Sequence, residues 1–223
     1  MRKLLLAAAL LLAVPTASRA QFGLGLRIGY GMPGGDALKA DTGTGLTAFK
    51  YSDLLSSQTN FQIDAMFKTG PSTAAGIYLG YAPNKLAGTP AVSCDTAGVS
   101  CSSYTLRAGL QFTGEFLDLG IVGLWGGIGT GIEAAYATQE GGGAKIDAQL
   151  RGWEWATISA GADLKLVKLI NAGLYISYGF GQFTVQEVKL TSPLGSMEDN
   201  GGLGSNATTH NMFQIGLRGM FNL

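Results

Sequence analysis

Long apolar runs are missing from the body of this chain. After residue 20, no stretch approaches the roughly 20 apolar residues that a transmembrane helix needs. Charged residues make up only 13% of the sequence, and no basic stripe is present, so nucleic acid is not an expected partner. Histidine occurs once and cysteine twice, with a spacing unlike that of a zinc site, and we expect no cofactor.

The first twenty residues predict a secretory signal peptide. Arg2 and Lys3 form its positive end, residues 4–14 its apolar core, and small residues precede a cleavage site after Ala20. The remaining residues, 21–223, are enough for one domain and carry 12 basic and 15 acidic side chains, a net charge of about −3. With 35 glycines and a positive mean hydropathy, this exported chain must hide its apolar surface without spanning helices.

Eight segments alternate between apolar and polar residues with the period of two that is typical of β-strands. They are FGLGLRIGYG, NFQIDAMFK, TAAGIYLGY, YTLRAGLQF, VGLWGGIGTGIEAAY, WEWATISAGADL, AGLYISYGFGQFTV and HNMFQIGLRGMFNL. In each, one face is almost free of charge, and the other is mainly glycine with sparse charges. The sixth segment is the weakest, because its alternation is lost beyond Thr157.

The connections between these segments are long and short in turn. Long connections rich in Gly, Ser, Thr, Asn and Asp alternate with short ones such as GPS. This arrangement predicts an all-β fold, an eight-stranded antiparallel up-and-down transmembrane β-barrel with long outer loops and short periplasmic turns. A soluble β-sandwich or lipocalin-type barrel would instead point its apolar face inward. Aromatic residues near strand ends fit interfacial belts: Tyr30, Tyr81, Tyr136, Trp153 and Trp155.

The chain from residue 21 resembles the small bacterial outer-membrane β-barrel proteins of the eight-stranded type. Its ending, MFQIGLRGMFNL, looks like the C-terminal signal that the barrel-assembly machinery reads, with Phe221 two places before the last residue, Leu223. The resemblance implies an outer-membrane location, contact with outer-membrane lipid and lipopolysaccharide, and the assembly machinery as a partner during insertion.

Two groups of residues are candidate sites. Cys94 and Cys101 lie in the second long connection, and an exported chain passes through an oxidising compartment, so we expect a disulfide, with intermolecular pairing or redox function as alternatives. Charges on the polar face of the strands predict a salt-bridge network in the lumen: Arg27, Asp64, Lys68, Arg107, Glu133, Glu154 and Arg218. A narrow permeation path is the alternative to such packing.

The sequence does not point to an enzyme. Lipid A deacylases of the outer membrane use a His–Ser arrangement, but His210 has no matching serine nearby and is expected to be a loop-edge residue. Eight strands leave an interior only wide enough for side chains, which disfavours a general porin. We therefore expect a structural or interaction protein, acting alone or as the outer-membrane subunit of an envelope machine for motility or secretion. Envelope partners would bind its long loops, and a narrow channel for small or hydrophobic solutes is the alternative.

Overall fold

The computed structural model is a closed antiparallel β-barrel. It describes residues 22–38, 49–86, 94, 97–203, 207 and 209–222; the predicted signal peptide and parts of three long connections lie outside them. The elements in chain order are β1 (Phe22–Leu38), β2 (Phe49–Lys50), α1 (Tyr51–Leu54), β3 (Leu55–Lys68), β4 (Thr73–Leu86), β5 (Val99–Asp118), β6 (Val122–Gly141), β7 (Ala144–Val167), β8 (Ile170–Ser192), β9 (Gly195–Gly202) and β10 (Thr209–Asn222).

Eight long strands form the ring, in the order β1, β3, β4, β5, β6, β7, β8 and β10. The strand β10 pairs with β8 on one side and with β1 on the other, from Gly23 opposite Asn222 to Gly35 opposite His210. The predicted eight-stranded up-and-down barrel is therefore confirmed. The small strands β2 and β9 pair only with the ends of β1 and β8. Among the described residues, no helix is long and apolar enough to cross a membrane.

A belt of exposed apolar side chains surrounds the barrel. Leu26, Ile63, Leu79 and Leu174 are each between 51% and 62% exposed, and they lie on the faces that the alternation predicts to point outward. These outward side chains are removed from water only when lipid surrounds the barrel. An apolar outer face on every strand therefore indicates a membrane environment. The inward positions of the same strands are polar or glycine, which is the pattern of a membrane-spanning barrel.

A β-bulge in β7 explains the weak alternation of the sixth segment. Glu154 lies opposite Gly181 and Ala156 lies opposite Phe180, so Trp155 is one extra residue with no partner of its own on β8. Because one inserted residue reverses the parity of all that follow, Trp153 and Trp155 point outward together with Ile158.

The connections at the loop end of the barrel contain more strand than the sequence suggests. The long connection expected between the fifth and sixth segments is mostly strand. It consists of the continuations of β6 and β7, which meet at a tight turn at Gly142 and Gly143. Both glycines have positive φ, 60° and 79°, as a two-residue hairpin turn requires. The connection after the seventh segment likewise contains the end of β8 and all of β9.

These extensions form a sheet beyond the apolar belt, which we call the outer sheet. It comprises residues 99–103 of β5, 137–141 of β6, 144–151 of β7, 185–192 of β8 and the strand β9. Its polarity is the reverse of the belt. Lys145, Asp147 and Arg151 take the outward positions, whereas Ile146 and Leu190, which are cross-strand neighbours, share the inward face.

Candidate functional site

The polar face of the strands converges inside the barrel. Six of the seven predicted lumen charges have buried side chains: Arg27, Asp64, Arg107, Glu133, Glu154 and Arg218. Lys68 differs from the expectation of a buried charge, because it lies at the turn end of β3, where its side chain is exposed. Strand parity positions these residues, since every second residue of a strand faces the lumen.

The pair Arg27 and Asp64 lies in the half of the lumen nearer the turn end. Arg27 Nε donates to Asp64 Oδ2 at 2.8 Å, and its Nη2 donates to Gln111 Oε1 at 2.8 Å. Gln62 and Gln111 donate to the other carboxylate oxygen at 2.8 and 2.7 Å. Every charged atom of Asp64 is thus hydrogen-bonded, as burial of an ion pair requires.

Arg107 lies at the middle of the lumen. Its Nη1 is 3.6 Å from Glu154 Oε1, and its Nη2 donates to Asn60 Oδ1 at 2.8 Å. With the carboxamide oxygen of Gln214 facing the guanidinium, that oxygen accepts from Nη1 at 3.0 Å and from Nη2 at 2.8 Å. Tyr78 donates to Glu154 Oε2 at 2.7 Å. Charge and hydrogen bonds therefore tie together side chains from strands on opposite sides of the ring.

His210 lies where the last long connection meets β10, as expected, but its side chain belongs to the lumen network. Its side chain is buried; Nε2 lies 3.1 Å from Glu133 Oε2, and the ring stacks on Phe183 with centroids 4.2 Å apart. Tyr51 of α1 packs against the same ring and donates to Glu133 Oε1 at 3.5 Å. In β10 the even-numbered residues, such as Met212 and Gln214, face the lumen. The same alternation, read back along the sequence, would have placed His210 inward.

Glycines make room for the aromatic rings that fill the lumen. Gly109 and Gly131 lie opposite one another on β5 and β6, and a Cβ on either would come within 2.6 Å of the Tyr78 ring or hydroxyl. Gly161 stands in the same relation to Trp125, at 2.7 Å. The high glycine content of the inner face is therefore a packing requirement of a narrow barrel.

The described interior leaves little free space at mid-height. Two cavities there, beside Arg107, have volumes of about 20 and about 10 Å³, room for roughly one water each. Toward the turn end the lumen widens into an open cavity of about 690 Å³, which we call the vestibule. Trp125, Asp163 and Arg218 form its inner wall, and Lys165 and Glu115 lie at its rim. Sequence reasoning did not single out Asp163 or Trp125, although both occupy inward positions.

Two further features lie outside the apolar belt. Cys94 and Cys101 form a disulfide beside the start of β5. In the outer sheet, Lys145 and Thr138 hydrogen-bond to Asp147 and hold the pKa of this carboxyl below its usual value. Among the residues described, no group of three His, Cys, Asp or Glu side chains could hold a metal ion.

The architecture is that of solved bacterial barrels, although the sequences are far apart. A major outer membrane protein from Thermus thermophilus superposes with a TM-score of 0.64 at 10% identity, covering 92% of this chain and 100% of that chain. The outer membrane protein AlkL in DMPC bilayers gives a TM-score of 0.56 at 13% identity, covering 94% of each chain. This chain has the fold of a small bacterial outer-membrane β-barrel. A scan of protein-family models and a search of curated proteins find no match.

The fold predicts which end of the barrel faces the periplasm and which faces the outside of the cell. In such barrels, the short turns face the periplasm and the long connections face the outside of the cell. Applied to this chain, the rule predicts a periplasmic vestibule and an outer sheet above the outer leaflet. The buried network lies between them, at the depth of the bilayer.

Proposed function

We propose that this chain is a non-enzymatic outer-membrane protein that displays the outer sheet to partners at the cell surface. In this proposal, the signal peptide directs export and is cleaved after Ala20. The observation that carries the proposal is the combination of a filled lumen with strands that continue beyond the lipid. A barrel built for diffusion needs a clear interior, whereas here the mid-lumen cavities of about 20 and 10 Å³ are too small for solutes.

The outer sheet offers two kinds of surface to partners. Of its outward charges, Arg151 lies just above the belt residue Trp153, in position to meet the phosphates of lipopolysaccharide, and Lys145 and Lys189 lie farther out. Its inward face carries exposed apolar side chains, with Met197 72% exposed beside Leu190. Such a surface suits contacts with envelope proteins, either in adhesion or within a machine for motility or secretion. During insertion, the barrel-assembly machinery is the expected partner.

A non-enzymatic role agrees with the surroundings of the only histidine. His210 is 3% exposed, covered by Phe183 and Tyr51, and its Nε2 faces Glu133. A substrate would have to displace the aromatic cover to reach the ring. A change of His210→Ala is therefore expected to leave the lipid A mass spectrum unchanged.

The display role is tested by shortening the outer sheet without touching the barrel. Gln186 lies opposite Gly201, so residues 187–200 can be replaced by an Asn-Gly turn that joins the two strands. A second protein shortens the other hairpin of the outer sheet, with residues 139–146 replaced in the same way between the facing residues Thr138 and Asp147. Tagged proteins are extracted in mild detergent, sized in native form, and their fixed companions identified.

We expect the full chain to migrate with companions or with bound lipopolysaccharide, and the variant shortened at 187–200 to lose them while its barrel stays folded. Retention of the same companions by both shortened proteins would contradict display by the outer sheet. A lone, lipopolysaccharide-free monomer from the full chain would contradict the interaction role altogether.

A narrow channel for small or hydrophobic solutes is the second candidate. The vestibule of about 690 Å³ favours it, because the lumen is already open to solvent at the turn end. Conduction would then require the layer around Arg107 and Glu133 to rearrange. Bilayer conductance that Arg107→Ala or Glu133→Ala alters would support this candidate.

A further inference from the structure

We infer that the periplasmic vestibule contains a binding site for a small oxyanion, a carboxylate or a phosphate, with Arg218 as its main ligand. The inference concerns the opposite end of the barrel from the outer sheet, and it goes beyond the display role. It depends on the bonding of one buried arginine, on the charge facing that arginine across the strand pair, and on the cavity that it lines.

Arg218 makes fewer contacts than a buried guanidinium can. Its side chain is 6% exposed and carries five N–H donors. Its ion pair is with Asp163, at 3.4 Å between Nη1 and Oδ2, and Nε has no hydrogen-bond partner among the described residues. Asp163 is itself shared, because Trp125 Nε1 donates to its Oδ1 at 3.0 Å. Nε is closed off from solvent, but the guanidinium lines the vestibule and has other N–H donors left for an acceptor from outside the chain.

A like charge faces Arg218 directly. Arg27 on β1 is its cross-strand partner, and like charges in that position destabilise a sheet unless both are neutralised. Arg27 is neutralised by Asp64 at 2.8 Å and by Gln111. Among the described residues, the counter-charge of Arg218 is Asp163 at the longer distance of 3.4 Å, so an added anion would improve the electrostatic balance more at Arg218 than at Arg27.

Trp125 holds the guanidinium at the wall of the cavity. The Arg218 Cζ atom lies 3.9 Å from the centroid of the indole, close enough for a strong cation–π contact, and both residues line the vestibule. The stacked face fixes the plane of the guanidinium and leaves its edge for hydrogen bonds. A planar donor edge of this kind matches carboxylate and phosphate oxygens.

The vestibule can admit such a ligand. Its volume of about 690 Å³ falls within the roughly 300–1,000 Å³ of small-molecule pockets. The acidic side chains at its rim, Glu115 and Asp118, are both bound by Lys165, at 2.9 and 2.8 Å. Lys68 and Lys168 also line the cavity. Lys165 alone balances one of these two negative charges and Lys168 of the same cavity balances the other, so an anion entering from the periplasm meets no net negative charge from these four residues.

The stacking on Trp125 provides the readout. Trp153→Phe with Trp155→Phe leaves Trp125 as the single tryptophan of a chain that has three. The folded protein in detergent is titrated with sodium phosphate and, separately, with sodium acetate, at constant ionic strength against sodium chloride. We expect a saturable change in Trp125 emission with at least one of the two anions. Saturation with phosphate alone would identify a phosphoryl ligand, and saturation with acetate a carboxylate ligand.

Three variants in this background decide the inference. Arg218→Gln should weaken binding about tenfold or more, the loss expected for a charge-assisted hydrogen bond. Asp163→Asn keeps an acceptor for Trp125 but removes the competing charge, so it should tighten binding. Arg151→Gln, an arginine of the outer sheet, should bind like the parent. The absence of saturation with both anions, or equal binding by the Arg218→Gln protein, would overturn the site. If Arg218→Gln does not fold, a failure of Asp163→Asn to tighten binding would overturn it instead.

Discussion

Asp64 accepts three hydrogen bonds from side chains inside the barrel, from Arg27, Gln62 and Gln111. None of its surface is exposed, so water cannot replace a lost partner. The favourable Coulomb energy of such a pair is largely offset by desolvation, which makes the intact pair only modestly stabilising. Removing one member of the pair is strongly destabilising, because the other charge then stays buried without a counterion.

We therefore predict that Asp64→Asn lowers the free energy of unfolding by about 3–5 kcal/mol, because Arg27 keeps its charge without a counterion. Guanidinium chloride titration of the folded protein in detergent measures this loss. The control is Asp147→Asn, which breaks an exposed pair with Lys145 and should cost at most about 1 kcal/mol. Equal losses in the two variants would show that the lumen is wetter than the structure implies.

A second prediction concerns the glycines beneath Tyr78. Gly131→Ala would place a methyl group 2.6 Å from the Tyr78 hydroxyl and 2.4 Å from the backbone oxygen of Ala108. Overpacking of this kind should cost about 1–3 kcal/mol in the same titration. Gly201→Ala is the control, because nothing lies within 4 Å of the Cβ it would add. A neutral Gly131→Ala would mean that Tyr78 has room to move.

At the residue scale, period-two parity was sufficient to place most of the lumen charges. Arg27, Asp64 and Arg107 each follow from the alternation of their own strand. Parity does not say which inward residues meet, because contacts such as that of Glu133 with His210 join residues 77 positions apart. It also does not say how deep a residue lies along the strand, and so Lys68 was expected among buried charges although it lies at the strand end.

At the element scale, the sequence concealed the bulge and the outer sheet for two separate reasons. At Trp155, one extra residue shifts the parity, so the two halves of β7 look like one irregular strand. In β7 and β8 beyond the bilayer, the alternation continues but with reversed polarity, since Lys145 faces outward and Ile146 inward. Such a segment, with three glycines at its turn, has the composition expected of a loop.

The bulge gives a prediction that distinguishes one residue of β7 from its neighbours. Deletion of Trp155 should be tolerated, because the pairs Glu154–Gly181 and Ala156–Phe180 then become consecutive and all other side chains keep their faces. Deletion of Ala162 should prevent folding, because it reverses every position on one side of the gap and loss of the bulge could restore them only by turning Ile158 inward and Ser159 outward. Folding is scored by the difference in gel mobility between unheated and boiled samples. Failure of both deletions would mean that the bulge itself is required.

The short helix α1 closes the lumen from the outer side. Tyr51 is 1% exposed and packs against Phe183, with ring centroids 5.5 Å apart. Tyr51→Ala should lower the free energy of unfolding by about 3–5 kcal/mol through loss of this packing. Tyr51→Phe keeps the ring and loses the hydrogen bonds of the hydroxyl with Glu133 and Thr105, so it should cost clearly less, about 1–2 kcal/mol. Similar losses for both changes would assign the role of Tyr51 to its hydroxyl.

At the scale of the whole molecule, the reversal of polarity fixes the barrel in the membrane. Within the bilayer the charges face inward and the apolar residues outward, and above Trp153 the two exchange places on β7 and β8. Displacing the barrel toward the periplasm would bring Arg151 into lipid and Leu174 out of it, and both changes are unfavourable. The reversal of polarity above Trp153 therefore favours one depth of the barrel in the membrane.

The filled lumen leads to a prediction about conductance. The unaltered protein should be electrically silent in planar bilayers, because the mid-lumen layer leaves cavities of about 20 and 10 Å³. The double variant Arg107→Ala with Glu154→Ala removes both members of a buried pair without leaving either charge alone. Both residues line the two cavities of about 20 and 10 Å³, so the double variant joins these cavities and opens the middle of the lumen, and discrete conductance steps should appear.

The control for this experiment is Arg151→Ala with Glu187→Ala, which removes the same two charge types from an exposed pair of the outer sheet. This control should remain silent, because no part of the lumen changes. Steady conductance from the unaltered protein would instead favour the narrow channel, with the vestibule as its periplasmic half. Silence of the Arg107→Ala, Glu154→Ala protein would place the seal elsewhere, and the stacked layer of Tyr51, Phe183 and His210 is the next barrier along the axis.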